Sequence, residues 1–174
     1  MRQNSYLCLI ILTTLFGCIT ADNNKSCKKH STTFVDKGRS NSYDVSFCIN
    51  EALVEVPSIQ WGTKFSKKFE SKAESIIFSF SEDEVMISDA QLKQNSIDFG
   101  KIALKNSVLK NQNLITTIDG IKGVISKFSN DSLNMSFFIG YKDGITSPFQ
   151  IIHQCSNKEN DLEQVIKSIK IEKK

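Results

Sequence analysis

Apolar residues along this chain fall into three patterns: a continuous run, strict alternation, and helical spacing. The run covers residues 6–16 and is broken only by Thr13 and Thr14. Alternation is cleanest over residues 43–49, where Tyr43, Val45, Phe47 and Ile49 share one side and Cys48 falls on the other. Period-two alternation of this kind predicts a half-buried strand. Residues 32–35, 75–80 and 85–87 read as further strands, while Pro57 and Gly62 argue against a long regular element over residues 54–65, where Trp61 and Phe65 are expected to pack. Two Asp-Gly pairs mark hairpins. Asp119-Gly120 separates residues 114–118 from 122–128, and Asp143-Gly144 separates 133–141 from 147–155. Helical spacing occurs twice. Phe99, Ile102, Ala103 and Leu109 recur behind Asp98, a candidate N-cap, and a separate short helix from Asp89 is also open. Residues 161–171 place Leu162, Val165, Ile166 and Ile169 on one stripe, with Lys167 and Lys170 at the end that favours cations.

The resulting order is a strand-rich segment, a helix, a three-stranded meander and a helix. No internal repeat and no second apolar core interrupt it. The expected fold is therefore α+β: one domain over residues 30–174, an antiparallel sheet with helices packed on it. Composition agrees with a globular chain, since 40% of residues are hydrophobic and 24% charged. Net charge is only +3, and lysines are interspersed with Asp and Glu, which argues against a nucleic-acid partner.

The N-terminal run has the layout of a secretory signal. Arg2 is its only charge, and the run is too short to span a bilayer. It closes on Leu15-Phe16-Gly17-Cys18, which resembles the lipobox of bacterial lipoprotein precursors. That resemblance implies a cleaved signal peptide over residues 1–17, acylation of Cys18 as the mature N-terminus, and stable attachment to a membrane through several acyl chains. Ile19 rather than Asp follows the cysteine, which by the sorting rule of that family implies the outer membrane, facing the periplasm. The competing cleavage site is Ile19-Thr20-Ala21, which would release a soluble secreted protein starting at Asp22. Residues 18–29 are polar and read as a tether. Either cleavage leaves about 155 residues, enough for one domain with its own core.

Cys27, Cys48 and Cys155 remain in the mature chain under both readings. An oxidising compartment favours one bridge and one remaining thiol. Cys27 with Cys48 is the expected pair, because a turn over residues 36–41 would bring their segments together; the other pairings stay open at this level. The mature segment also resembles PsbP/DcrB-like domains of bacterial envelope lipoproteins. The likeness lies in the Tyr43-x-Val45-x-Phe47 strand, the strand-turn-strand of residues 115–128, and a late strand leading into Ile166-Lys167-Ser168-Ile169-Lys170-Ile171. It implies an α+β fold and no shared catalytic residues.

The search for chemistry yields little. Of two histidines, His30 lies beside the tether and His153 in an expected strand, and no Gly-x-Ser-x-Gly elbow accompanies either. Cys27 and His30 with His153 and Cys155 have metal-like spacing but lack a Cys-x-x-Cys, so no metal and no cofactor is expected. Glu82-Asp83-Glu84 lacks the spacing of a calcium loop. The lysines at 167, 170, 173 and 174 read as a solvated helix end rather than a lipid contact. Sequons at Asn24, Asn130 and Asn134 carry meaning only in a eukaryote. The function expected from these features is a non-catalytic, lipid-anchored envelope protein that binds another protein. The alternatives are an immunity lipoprotein neutralising a delivered toxin in the periplasm, and a small-molecule carrier or hydrolase with a pocket under the sheet. The Lys142-Asp143-Gly144-Ile145 hairpin and the Glu82 turn are the candidate loops for contact.

Overall fold

The computed structural model describes residues 27–36, 41–58, 63–81, 88–145, 148–156 and 162–174. These form β1 (Cys27–Asp36), β2 (Asn41–Asn50), β3 (Val54–Val56), β4 (Thr63–Glu70), β5 (Glu74–Ser81), α1 (Asp89–Ala103), β6 (Val108–Thr116), β7 (Ile121–Ser129), β8 (Asn134–Lys142), β9 (Phe149–Cys155), α2 (Leu162–Lys167) and β10 (Lys170–Lys173). They build a single domain with two antiparallel sheets and only two helices, so strands dominate and the expected α+β class is met only in outline. The first sheet has the order β1-β2-β10, the second β3-β4-β5-β9-β8-β7-β6.

The large sheet carries apolar side chains on both faces, which obliges something to cover each one. Its two successive phenylalanines show the consequence. Phe138 joins a cluster with Phe78, Phe80 and Phe149 that also takes in Val45 and Phe47 of the small sheet. Phe137 points the other way, into a cluster closed by Leu92 of α1, and stacks on the Phe99 ring at 4.1 Å between centroids. The layers are therefore α1, large sheet and small sheet, with α2 burying Leu162 and Ile166 in the inter-sheet cluster. Alternation over residues 43–49 is realised as read: Tyr43, Val45, Phe47 and Ile49 are buried in that cluster.

Helix α1 begins earlier than the Asp98 cap predicts. Ser88 is its N-cap, and Ser88 and Gln91 form a capping box. Its inner face is Leu92, Ser96 and Gly100 rather than the stripe through Ile102, which is 84% exposed. Leu109 belongs to β6. The inner face is small because the helix lies very close to the sheet. A Cβ at Gly100 would collide with the Phe128 ring, and Ser96 Oγ donates to Ser126 Oγ of β7 at 2.6 Å.

Four further expectations are corrected. The meander after α1 has four strands, β6 to β9, not three, and β9 then pairs with β5. The C-terminal helix spans only Leu162–Lys167. Ser168 ends it: its hydroxyl donates to the Val165 carbonyl at 2.6 Å and accepts from the Cys48 amide at 2.9 Å. The chain then pairs as β10 with β2, so Ile171 is a strand residue of the core, not a helical one. Lastly, Cys27, Lys28 and Lys29 belong to β1 rather than to the tether. Trp61 and the expected strand at residues 85–87 lie outside the described residues.

Both Asp-Gly hairpin turns are present, with the positive φ at glycine alone: 76° at Gly120 and 82° at Gly144. In the first, Gly120 N donates to Thr117 O and Thr117 N to Ile121 O, a type I turn followed by a left-handed glycine.

The close approach of α1 sets a prediction. Gly100→Ala should lower stability by about 1–3 kcal/mol through overpacking, read as a fall in the urea midpoint. An unchanged midpoint would place α1 farther from β7 than the Phe128 contact requires.

Candidate functional site

The sequence-predicted residues separate into distinct places. Cys18 and the Glu82 turn lie outside the described residues. Cys27 opens β1 and Cys48 lies on the outer side of β2; a disulfide joins them with their Cα atoms 5.5 Å apart. Because β2 is the middle strand, the bridge fastens the first residue of an edge strand to the centre of the small sheet. Cys155 is a buried thiol at the end of β9, outside that bridge.

The two histidines do not meet. His30 lies half-buried on β1, edge-on to the Phe69 ring at 4.6 Å and stacked on Phe47 at 6.1 Å. Its Nε2 is buried without a hydrogen-bond partner. Burial, and secondarily the Lys28 charge, hold its pKa below the ordinary imidazole value of 6.5, with Glu55 opposing them.

His153 is buried in β9, and its Nε2 lies 2.6 Å from Glu74 Oε1 of β5. Ser136 of β8 is its direct cross-strand partner. A serine, a histidine and a carboxylate thus share one face of the sheet. The arrangement does not make a nucleophilic site of the serine–histidine type. Nε2, the nitrogen that takes the serine proton in such sites, is occupied by the carboxylate. Ser136 is also only 1% exposed, on a face packed against the inter-sheet core. The pair is a satisfied polar bridge between strands, and charge-assisted contacts of this geometry hold register. Among the described residues no group of three or more His, Cys, Asp or Glu is gathered to hold a metal. Also among them, no helix is long and apolar enough to cross a membrane.

The basic end of the chain is engaged on the surface. Lys167 pairs with Glu163 at 2.7 Å and Lys174 with Asp44 at 3.0 Å. Thr33 Oγ1 also donates to Asp44, and this bond, with the lysine contact, pulls the Asp44 pKa below the usual carboxylate range. At the candidate hairpin, Lys142 Nζ donates to the Asp119 carbonyl and Lys122 pairs with Asp143 at 3.5 Å. The two Asp-Gly turns are therefore tied to each other.

The feature that sequence reading missed is the margin that β6 forms: residues 114–118 read as one arm of the Asp119-Gly120 hairpin, but the strand starts at Val108. It ends the large sheet, pairing with β7 on one side only among the described residues. Seven of its nine residues are exposed and none is buried, in contrast to β7 and β8. Six large apolar residues are exposed among those described, and five lie on this strand or next to it in the chain: Ile102 at the end of α1, Val108, Leu109 and Leu114 on β6, and Ile118 at the hairpin tip, fully exposed. Gln112 anchors the strand from below, donating to Lys93 O at 3.0 Å and Ser126 Oγ at 2.9 Å. The other long edge, β1, is guarded by Lys28 and Lys29, and β3 and β10 are only three and four residues long. Short and charged edges are the usual protection against strand addition. β6 is nine residues long, exposes Val108, Leu109 and Leu114, and carries a single charge at Lys110. Its one signal in the sequence is the run Val108-Leu109 through Leu114-Ile115, which lacks strict alternation and carries one charge.

Two outcomes follow from the histidines. The His30 imidazole is kept neutral in the fold, so the unfolded chain binds the proton more readily. Its contribution is complete above pH 6.5 and declines as pH falls through that value toward the lower folded pKa. His30→Gln should therefore lose less stability than wild type between about pH 7.5 and about pH 5, measured by urea unfolding; equal losses would remove His30 from the acid response. Glu74→Ala strips the buried His153 of its carboxylate and should cost about 1–3 kcal/mol, visible as a lowered thermal midpoint. No family model matches this chain, and no curated protein is similar to it.

Proposed function

We propose that this chain is a non-catalytic, lipid-anchored protein of the bacterial envelope that binds another protein by strand addition at β6. The anchoring half of the reading rests on the Leu15-Phe16-Gly17-Cys18 lipobox and the uncharged run before it. The binding half rests on one observation: among the described residues, a nine-residue sheet edge is unpaired on its outer side, and five of the six exposed large apolar residues lie on it or next to its ends in the chain. An unpaired edge offers a row of backbone N–H and C=O groups, and the side chains flanking it select what is added. Large apolar side chains left exposed along a sheet edge are what a bound strand would cover. The carrier or hydrolase alternative draws no comparable support, because its best constellation, Ser136, His153 and Glu74, lies on the packed inner face with Nε2 already taken.

Two measurements test the two halves separately. Cys18→Ser should move the protein from the membrane fraction to the soluble envelope fraction; an unmodified N-terminus at Asp22 in the intact mass of the native protein would contradict lipidation. For binding, a photo-crosslinker at Asn113 of β6 should capture a discrete envelope protein that one at Lys29 of β1 does not. Val108→Glu with Leu114→Glu should abolish that product while changing stability by no more than about 0.5 kcal/mol per site. Capture that survives this double substitution would take the interface away from β6.

A further inference from the structure

Resting on the proposal that β6 is the binding edge, we infer that its partner is a protein segment in extended form that carries acidic residues among apolar ones. Three lysines stand within ten residues of chain at one end of the edge: Lys101 in the last turn of α1, Lys105 in the link, and Lys110 on β6 itself. All three are exposed. Among the described residues none of them makes an ion pair, whereas Lys67, Lys122, Lys167 and Lys174 are each paired with a carboxylate. They alternate along the chain with the exposed Ile102, Val108 and Leu109, so charge and apolar side chains share this end of the edge. Neither neighbouring carboxylate forms an ion pair with them: Asp98 accepts from Gln94 Nε2 at 2.9 Å, and Asp131 follows Asn130 on the β7–β8 turn, where Asn130 donates to the Lys105 carbonyl at 3.1 Å; three lysines against these two carboxylates leave the end of the edge positive.

The backbone at Lys110 sharpens the selection. The β6–β7 register shifts between Leu109 and Asn111, so Lys110 sits on a bulge. A bulge with a lysine is the device by which sheet edges repel added strands. It works because an incoming strand must bury the ammonium group or find it a partner. A strand that brings a carboxylate converts this guard into an ion pair, while a neutral or basic strand meets the penalty unrelieved. A second copy of the chain carries the same unpaired lysines and is disfavoured by them. The remainder of the edge, from Asn111 to Thr116, holds no charge and takes apolar and polar side chains alike.

The test uses the mature chain with Cys18→Ser to keep it in solution. The probes are a ten-residue peptide alternating Val or Thr with Glu, its counterpart with Lys for Glu, and vesicles containing phosphatidylglycerol. Binding is read by fluorescence anisotropy at two salt concentrations and located by amide chemical shifts. The acidic peptide should bind about tenfold more tightly than the basic one, the scale expected of two or three exposed ion pairs. It should shift the β6 amides and weaken with salt. The triple variant Lys101→Glu, Lys105→Glu, Lys110→Glu should reverse the preference. Equal binding of both peptides at β6 would overturn the acidic preference while the binding edge stands. Failure of both peptides to perturb β6 would overturn the edge and the preference together. Vesicle binding through the three lysines, without peptide binding, would also overturn the inference and assign the patch to a lipid surface.

Discussion

The structure depends on one constraint: the central strands of the large sheet are apolar on both faces, and each face must be covered. β7 and β8 bury consecutive residues, not alternate ones. Phe137 and Phe138 can both leave water only if one layer closes over each side of the sheet. α1 closes one side, and the small sheet with α2 closes the other. The remaining special features serve those closures. Gly100 and Ser96 let α1 approach the sheet. Ser168 stops α2 so that the C-terminal residues can pair with β2. The Cys27–Cys48 bridge fixes the first strand of the covering sheet to its central strand.

Among the described residues this sealing places His153, Ser136 and Cys155 inside, where the low dielectric strengthens the Glu74–His153 contact. What remains outward is the boundary of the large sheet. A sheet covered on both faces still has two edges. β3 ends one of them after three residues; among the described residues β6 leaves the other unpaired along nine, with apolar side chains on it. The proposed function follows from that asymmetry rather than from any catalytic group.

The legible parts of the fold were those whose signal is local. Tyr43 to Ile49 alternates because one face alone is buried, and the two Asp-Gly turns were visible because only glycine relaxes at positive φ. The helices were misread where the signal is tertiary. The inner face of α1 is Leu92, Ser96 and Gly100, and a search for apolar spacing passes over a serine and a glycine chosen for closeness. The Ser88–Gln91 capping box was the available mark of its start. Ile169 fits the helical stripe and Ile171 ends the expected helix, yet the first falls in the link after α2 and the second in β10, because β2 offers an open side for pairing. Periodicity cannot register such a competition. The β6 edge was illegible for the same reason: whether a strand lies at a margin is a property of the whole sheet order, not of its own residues.

Amide hydrogen exchange on the isolated domain measures the central claim directly, because it reports strand by strand which backbone groups are sealed. The account predicts slow exchange throughout β7 and β8. In β6 it predicts alternation, with slow amides where the strand bonds to β7 and fast ones on its outward side. Uniformly slow exchange along β6 in the unbound protein would contradict it, since the edge would then already be covered.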